Sequence, residues 1–92
     1  MANPDFKVND KARRILEVLL NADQRLTGLT ICDLTGLHAI HPELASLEAN
    51  EWVESAWATQ EPLPDRPRRR LYQLTPYGRT RALHALGRYE TP

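Results

Sequence analysis

Cysteine is nearly absent from this chain: Cys32 stands alone, so no internal disulfide can form. The opening stretch M-A-N-P-D-F-K-V-N-D has no basic segment followed by an apolar core, so no signal peptide is expected. Both features point to a reducing cytoplasm. Apolar runs extend for only a few residues, far short of a bilayer span, so no membrane association is expected. No glycine-rich phosphate loop, metal-ligand cluster or Ser/His/Asp arrangement with supporting context is found. An enzyme is therefore not expected, and neither a cofactor nor a metal is called for. Net charge is missing too, because 12 basic and 12 acidic residues cancel. What remains is an ordinary globular composition, 26% charged and 41% hydrophobic, which argues against disorder. At 92 residues the chain makes one small domain with limited burial, which favours association with a second copy.

The cancellation hides a strong segregation of charge. Arg66 to Arg88 contains seven arginines and no acid, whereas Glu17 to Asp65 contains nine acids against Arg25 alone. The first segment adds Lys7, Lys11, Arg13 and Arg14 against Asp5 and Asp10. A polyanion responds to the local field and not to the total. Arg66–Arg70 can be read as a solvated loop. Clustered like charges repel without benefit unless an anion joins them, so anion binding is the favoured reading.

Apolar spacing divides the chain into elements. Asn9 or Asp10 can cap a helix from Lys11 to about Asn21, with Ala12, Ile15, Leu16, Leu19 and Ala22 as its inner stripe. Val18 and Leu20 widen the apolar surface of that helix. After the turn Asp23-Gln24-Arg25, Thr27 can cap a short second helix to about Leu34, with Leu29, Ile31, Cys32 and Leu34 as core candidates. Thr35-Gly36 breaks it. A third helix is expected from Leu37 or His38 to Asn50, with Ile40, Leu44 and Leu47 inside and Pro42 near its start. Trp52–Trp57 and Arg70–Thr75 alternate like strands, and Tyr72 and Leu74 share a face. The proline-broken loop Ala58–Arg69 separates them. Thr75-Pro76 then opens a last helix, expected over 76–89.

In this order the elements make a helix-turn-helix followed by a basic hairpin, the plan of a winged helix. The residues resemble the PadR-like winged-helix transcription regulators. The resemblance rests on Gly28-Leu29-Thr30-Ile31, His41-Pro42-Glu43-Leu44-Ala45-Ser46-Leu47-Glu48, Trp52-Val53-Glu54-Ser55-Ala56-Trp57, Arg68-Arg69-Arg70 and Tyr72-Gln73-Leu74-Thr75-Pro76-Tyr77-Gly78. It covers about residues 12 to 86. His41 replaces the usual tyrosine, and Ala45 and Ser46 stand where basic residues are common. Glu51 takes the usual glycine position, so Asn50 is expected to supply the left-handed turn. The chain ends after the fourth helix, without the long C-terminal helical region by which many members dimerise.

The fold class expected is mainly α with a small β-hairpin, arranged α1-α2-α3-β-wing-β-α4. Residues 1–9 form an arm and residues 10–90 the winged-helix domain. The resemblance implies a transcriptional regulator, read as a repressor acting as a homodimer on double-stranded DNA and associated with the nucleoid when bound. Helix 38–50 would enter a major groove through His38, Ala39, His41, Pro42 and Ser46. Arg66, Arg68, Arg69 and Arg70 would hold the backbone or a minor groove, and Thr27 and Thr30 would hold a phosphate. Leu16, Leu20, Leu83, Leu86 and Tyr89 are the expected dimer contacts. His38 and His41, three apart on one helical face, are read as DNA-facing and not as metal ligands. Trp52 and Trp57 are read as packing residues, with an aromatic effector at the dimer seam as the alternative. Cys32 is read as a small buried hydrophobe. A different function class also fits: a protein-interaction module using the acidic segment.

Overall fold

Residues 6–57 and 69–87 are described by a computed structural model. The order is α1 (Asp10–Asn21), β1 (Leu26–Thr27), α2 (Gly28–Thr35), α3 (His41–Ala49), β2 (Val53–Trp57), β3 (Arg70–Leu74) and α4 (Pro76–Ala85). Four helices and a small antiparallel sheet make the α+β winged-helix architecture. Among the described residues no helix is long and apolar enough to cross a membrane.

Local chemistry starts three of the helices. Asn9 Oδ1 accepts from the Ala12 N–H at 2.8 Å, Thr27 Oγ1 from the Thr30 N–H at 3.1 Å, and Thr75 Oγ1 from the Gly78 N–H at 2.8 Å. Each satisfies one of the donors that a helix start leaves unpaired. Ala12, Ile15, Leu16 and Leu19 of α1 meet Ile31 of α2, and Ile40, Leu44 and Leu47 at α3, in one buried core closed by Trp52, Val53, Tyr72 and Ala82.

The hairpin expected from the sequence is in fact a three-stranded sheet in the order β1-β3-β2. Leu26 pairs with Tyr72 and Thr27 with Leu71. A two-residue strand is too short to show alternation, which is why the sequence does not reveal it. On the other edge of β3, Val53 pairs with Leu74, Ser55 with Tyr72 and Trp57 with Arg70. These six share the sheet face that carries the core, since side chains alternate along a strand.

Helix α3 begins at His41, later than expected, and His38 and Ala39 lie in the turn before it. Gly36 at φ 73° and Ala39 at φ 55° both take left-handed conformations that a helix cannot include. Pro42 fits the first turn, where its missing N–H costs nothing. At the far end Glu51, not Asn50, adopts the left-handed conformation, with φ 66°. The Trp52 N–H then reaches Leu47 O at 2.9 Å, the wide bond of a Schellman turn, while Asn50 Nδ2 donates to Ser46 O at 2.8 Å.

Two further expectations are revised. Of the α2 core candidates only Ile31 is buried; Leu29 is 67% and Leu34 62% exposed, and Cys32 is half-buried. A two-turn helix offers the core a narrow stripe, and Leu29 lies about 200° around the helix from Ile31. Helix α4 stops at Ala85, short of residue 89, and Gly87 takes φ 68° just beyond it. Residues 88 and 89 of the expected helix lie outside the described residues.

Candidate nucleic-acid interface

Three elements converge on one open cleft of about 740 Å³. Helix α2 contributes Leu29 and Cys32, the start of α3 contributes His41, and the base of the wing contributes Trp57, Arg69 and Arg70. His41, Pro42, Ala45 and Ser46 are all exposed on α3, and His38 and Ala39 are exposed in the turn before it. His38 and His41 therefore do not share a helical face, because Ala39 turns the chain between them. The expected DNA-facing residues of this region nonetheless lie open to solvent. Arg66 and Arg68 lie outside the described residues.

Arg70 is not a free cation. Its Nε donates to Ser55 Oγ at 2.7 Å, and its Nη2 lies 3.4 Å from Glu48 Oε2. Ser55 Oγ donates in turn to the same Glu48 oxygen at 2.8 Å. The guanidinium sits 5.2 Å from the centre of the Trp57 ring, a cation–π distance. Glu48 of α3, Ser55 of β2 and Arg70 of β3 thus tie the exposed helix to the wing. Both partners of the ion pair are more than a third exposed, so solvent screening keeps its contribution under about 1 kcal/mol. Its consequence is positional.

Glu48 and Ser55 were not among the expected site residues. Ser55, Trp57 and Arg70 lie on the α3-facing side of the sheet, a placement set by strand pairing that the order of residues does not show. Trp57, expected as packing, is 52% exposed and lines the cleft, whereas Trp52 is 4% exposed in the core. Buried in the core, Trp52 offers no open face to a ligand.

Thr27 and Thr30 are committed to each other. Thr27 Oγ1 donates to Thr30 Oγ1 at 3.0 Å and accepts the Thr30 N–H, so that N–H is already satisfied and cannot also hold a phosphate. Among the expected dimer contacts, Leu16 is completely buried and has no surface to offer a partner. Leu20, Leu83 and Leu86 are half-buried, and Tyr89 lies outside the described residues.

No curated protein and no solved structure matches the chain. The model of the transcriptional regulator PadR-like family does, over residues 15–84, which takes in every element except the ends of α1 and α4. With the helix-turn-helix, the wing base and the open α3 face in place, the chain belongs to the PadR-like family of DNA-binding transcriptional regulators.

Proposed function

We propose that this regulator binds duplex DNA as a homodimer, with α3 in a major groove and the wing on the flanking backbone or in a minor groove, and that it acts as a repressor. The observation that supports this most is the shared cleft: the start of α3 and the cationic base of the wing open onto one space. An α-helix with its side chains is about 10–12 Å across, a cross-section that the ~12 Å wide major groove admits. His38, Ala39, His41, Pro42 and Ser46 would meet base edges. Arg66, Arg68 and Arg69 would meet phosphates, with Arg70 shared between phosphate and Glu48. The dimer would form on the outer edge of α1 and α4 through Leu20, Leu83 and Leu86, leaving both copies of α3 on one side.

Selection from a random duplex pool tests this directly. A palindromic consensus with half-sites about 34 Å apart, or a multiple of it, is the expected result. A single asymmetric site would overturn the dimer, and no retention on any duplex at low salt would overturn the DNA reading itself. A second reading, as a protein-interaction module, is favoured by one observation. Leu34 stands 62% exposed in the groove between α1 and α2, flanked by Glu17 and Asp23. Absence of retention on both heparin and nonspecific duplex at low salt would favour this second reading over the first.

A further inference from the structure

Helix α3 poses an electrostatic problem. Its only charges are Glu43 and Glu48, so an approach to phosphates would meet net repulsion. Glu48 is offset by Arg70 on the wing side. Glu43 lies on the opposite side, where Oε2 is buried without a hydrogen-bond partner.

The fold brings cations to that second side from the start of the chain. Phe6 meets Trp52 edge-on, with ring centroids 5.6 Å apart, and anchors residues 6–9 against the domain. The cleft between this segment and α3, about 290 Å³, is lined by Lys7 and Val8 on one wall and by Pro42, Glu43 and Ser46 on the other. Lys7 is exposed there. Four residues on, in the first turn of α1, Lys11 Nζ donates to the carbonyl of His38 at 3.4 Å, just ahead of α3. The chain has only two lysines, and both end beside the same helix. This cleft shares no lining residue with the wing-side cleft, so α3 is flanked by cations from two independent directions.

We infer that Lys7 and Lys11 contact the DNA backbone on the side of α3 away from the wing. An ammonium has three donors, and Lys11 spends one on His38, which leaves two for phosphate oxygens. His38 O fixes where the Lys11 ammonium sits, and the Phe6–Trp52 contact does the same for the segment bearing Lys7. The inference rests on the DNA-binding reading above and adds to it two residues and a second contacted stretch of backbone.

The test uses the full chain and a duplex taken from the random pool, with affinity measured by fluorescence anisotropy from 50 to 200 mM salt. Lys7→Gln combined with Lys11→Gln should lower the slope of log affinity against log salt by about 2 per bound protomer. A fourfold rise in salt would then cost the variant roughly 15-fold less affinity than it costs the parent chain. Lys7→Arg with Lys11→Arg should restore the parent slope, which a loss of folding could not produce. Arg25→Gln supplies a control, because Arg25 lies by Glu54 and Gln73 on the opposite face of the sheet. Its slope should match the parent's. An unchanged slope in the lysine variant, or an equal fall in the Arg25 control, overturns the inference while DNA binding stands. Absence of duplex binding by the parent chain overturns both.

Discussion

Gly78→Ala should destabilise the domain, although glycine to alanine inside a helix ordinarily gains about 1 kcal/mol. Gly78 is the third residue of α4 and is buried. A Cβ built there falls 1.8 Å from Trp52 O, 2.5 Å from Trp52 C and 2.6 Å from Trp52 Cα. All three are backbone atoms, so no side-chain rotation relieves the overlap. Reaching a tolerable ~3 Å requires the first turn of α4 to retreat by more than about 1 Å. The Thr75 N–H to Trp52 O bond, now 3.0 Å, would then be stretched to about 4 Å and lost, a cost of about 1 kcal/mol. Ala82, fully buried on the same helix, would lose contacts, and overpacking of this kind adds about 1–3 kcal/mol. Against the helix gain, the net loss is about 1–3 kcal/mol, or roughly 4–24 °C in melting temperature for a domain of this size. Equilibrium urea denaturation measures it. Gly28→Ala is the matched control, since its Cβ would meet only Tyr72 Cε2 at an ordinary 3.9 Å, and it should be neutral or stabilising. A Gly78→Ala midpoint at or above that of the parent chain would refute the close-approach argument.

Four other outcomes follow, two from the site, one from the core and one from the proposed dimer edge. Glu48→Ala removes an acid from the proposed DNA face and releases Arg70, so the salt dependence of duplex binding should steepen by about 1; a shallower slope would mean that Arg70 needs Glu48 to be placed. Trp57 should lose much of its acrylamide quenching when a selected duplex is added, whereas the buried Trp52 should be quenched little in either state; undiminished quenching of Trp57 would place the DNA elsewhere. Leu16→Ala should cost about 2–5 kcal/mol of folding stability, and Leu86→Asp should leave the fold nearly intact while shifting sedimentation towards monomer. Unaltered sedimentation of the Leu86 variant at a dimeric value would remove that residue from the interface.

What could be read from the sequence was local. The caps at Asn9, Thr27 and Thr75 act on backbone three residues away, so residue type and spacing reveal them. The same holds for the stripes Ala12-Ile15-Leu16-Leu19 and Ile40-Leu44-Leu47, whose period is that of the helix. Ala39 and Glu51 resisted reading because neither is a residue that advertises a left-handed backbone. The Schellman bond from Trp52 to Leu47 and the tertiary bond from Thr75 to Trp52 hold Glu51 in that state against a cost of about 1–2 kcal/mol. Exposure of Leu29 and Leu34 was hidden for another reason: hydrophobic residues within a short helix look like core until the surface that helix presents is known. At the candidate site the exposed positions of the α3 start were legible from resemblance, but the Glu48–Ser55–Arg70 link depends on strand register and on the approach of α3 to the sheet. Neither is visible in the order of residues.

The surface that α3 presents sets the kind of recognition to be expected. Its exposed residues are His41, Pro42, Ala45, Ser46 and Ala49, with no arginine, lysine, asparagine or glutamine among them. The bidentate contacts that discriminate guanine or adenine by about 1–3 kcal/mol each are therefore unavailable to this helix. His41 and Ser46 can each offer single hydrogen bonds, and Ala45 and Pro42 can offer apolar contact. Cations, by contrast, lie on the flanks, at Arg69 and Arg70 on one side and at the two lysines on the other. Backbone contacts of that sort fix position and supply affinity without reading sequence. A protein built this way should bind duplex DNA strongly at low salt yet prefer its selected site over a scrambled duplex by a narrow margin. The expected ratio lies near the lower end of the usual ~10³–10⁷ range. Competition titrations at fixed salt measure it. A preference near the top of that range would require base contacts that this helix face does not possess, and would locate the reading of sequence in the wing.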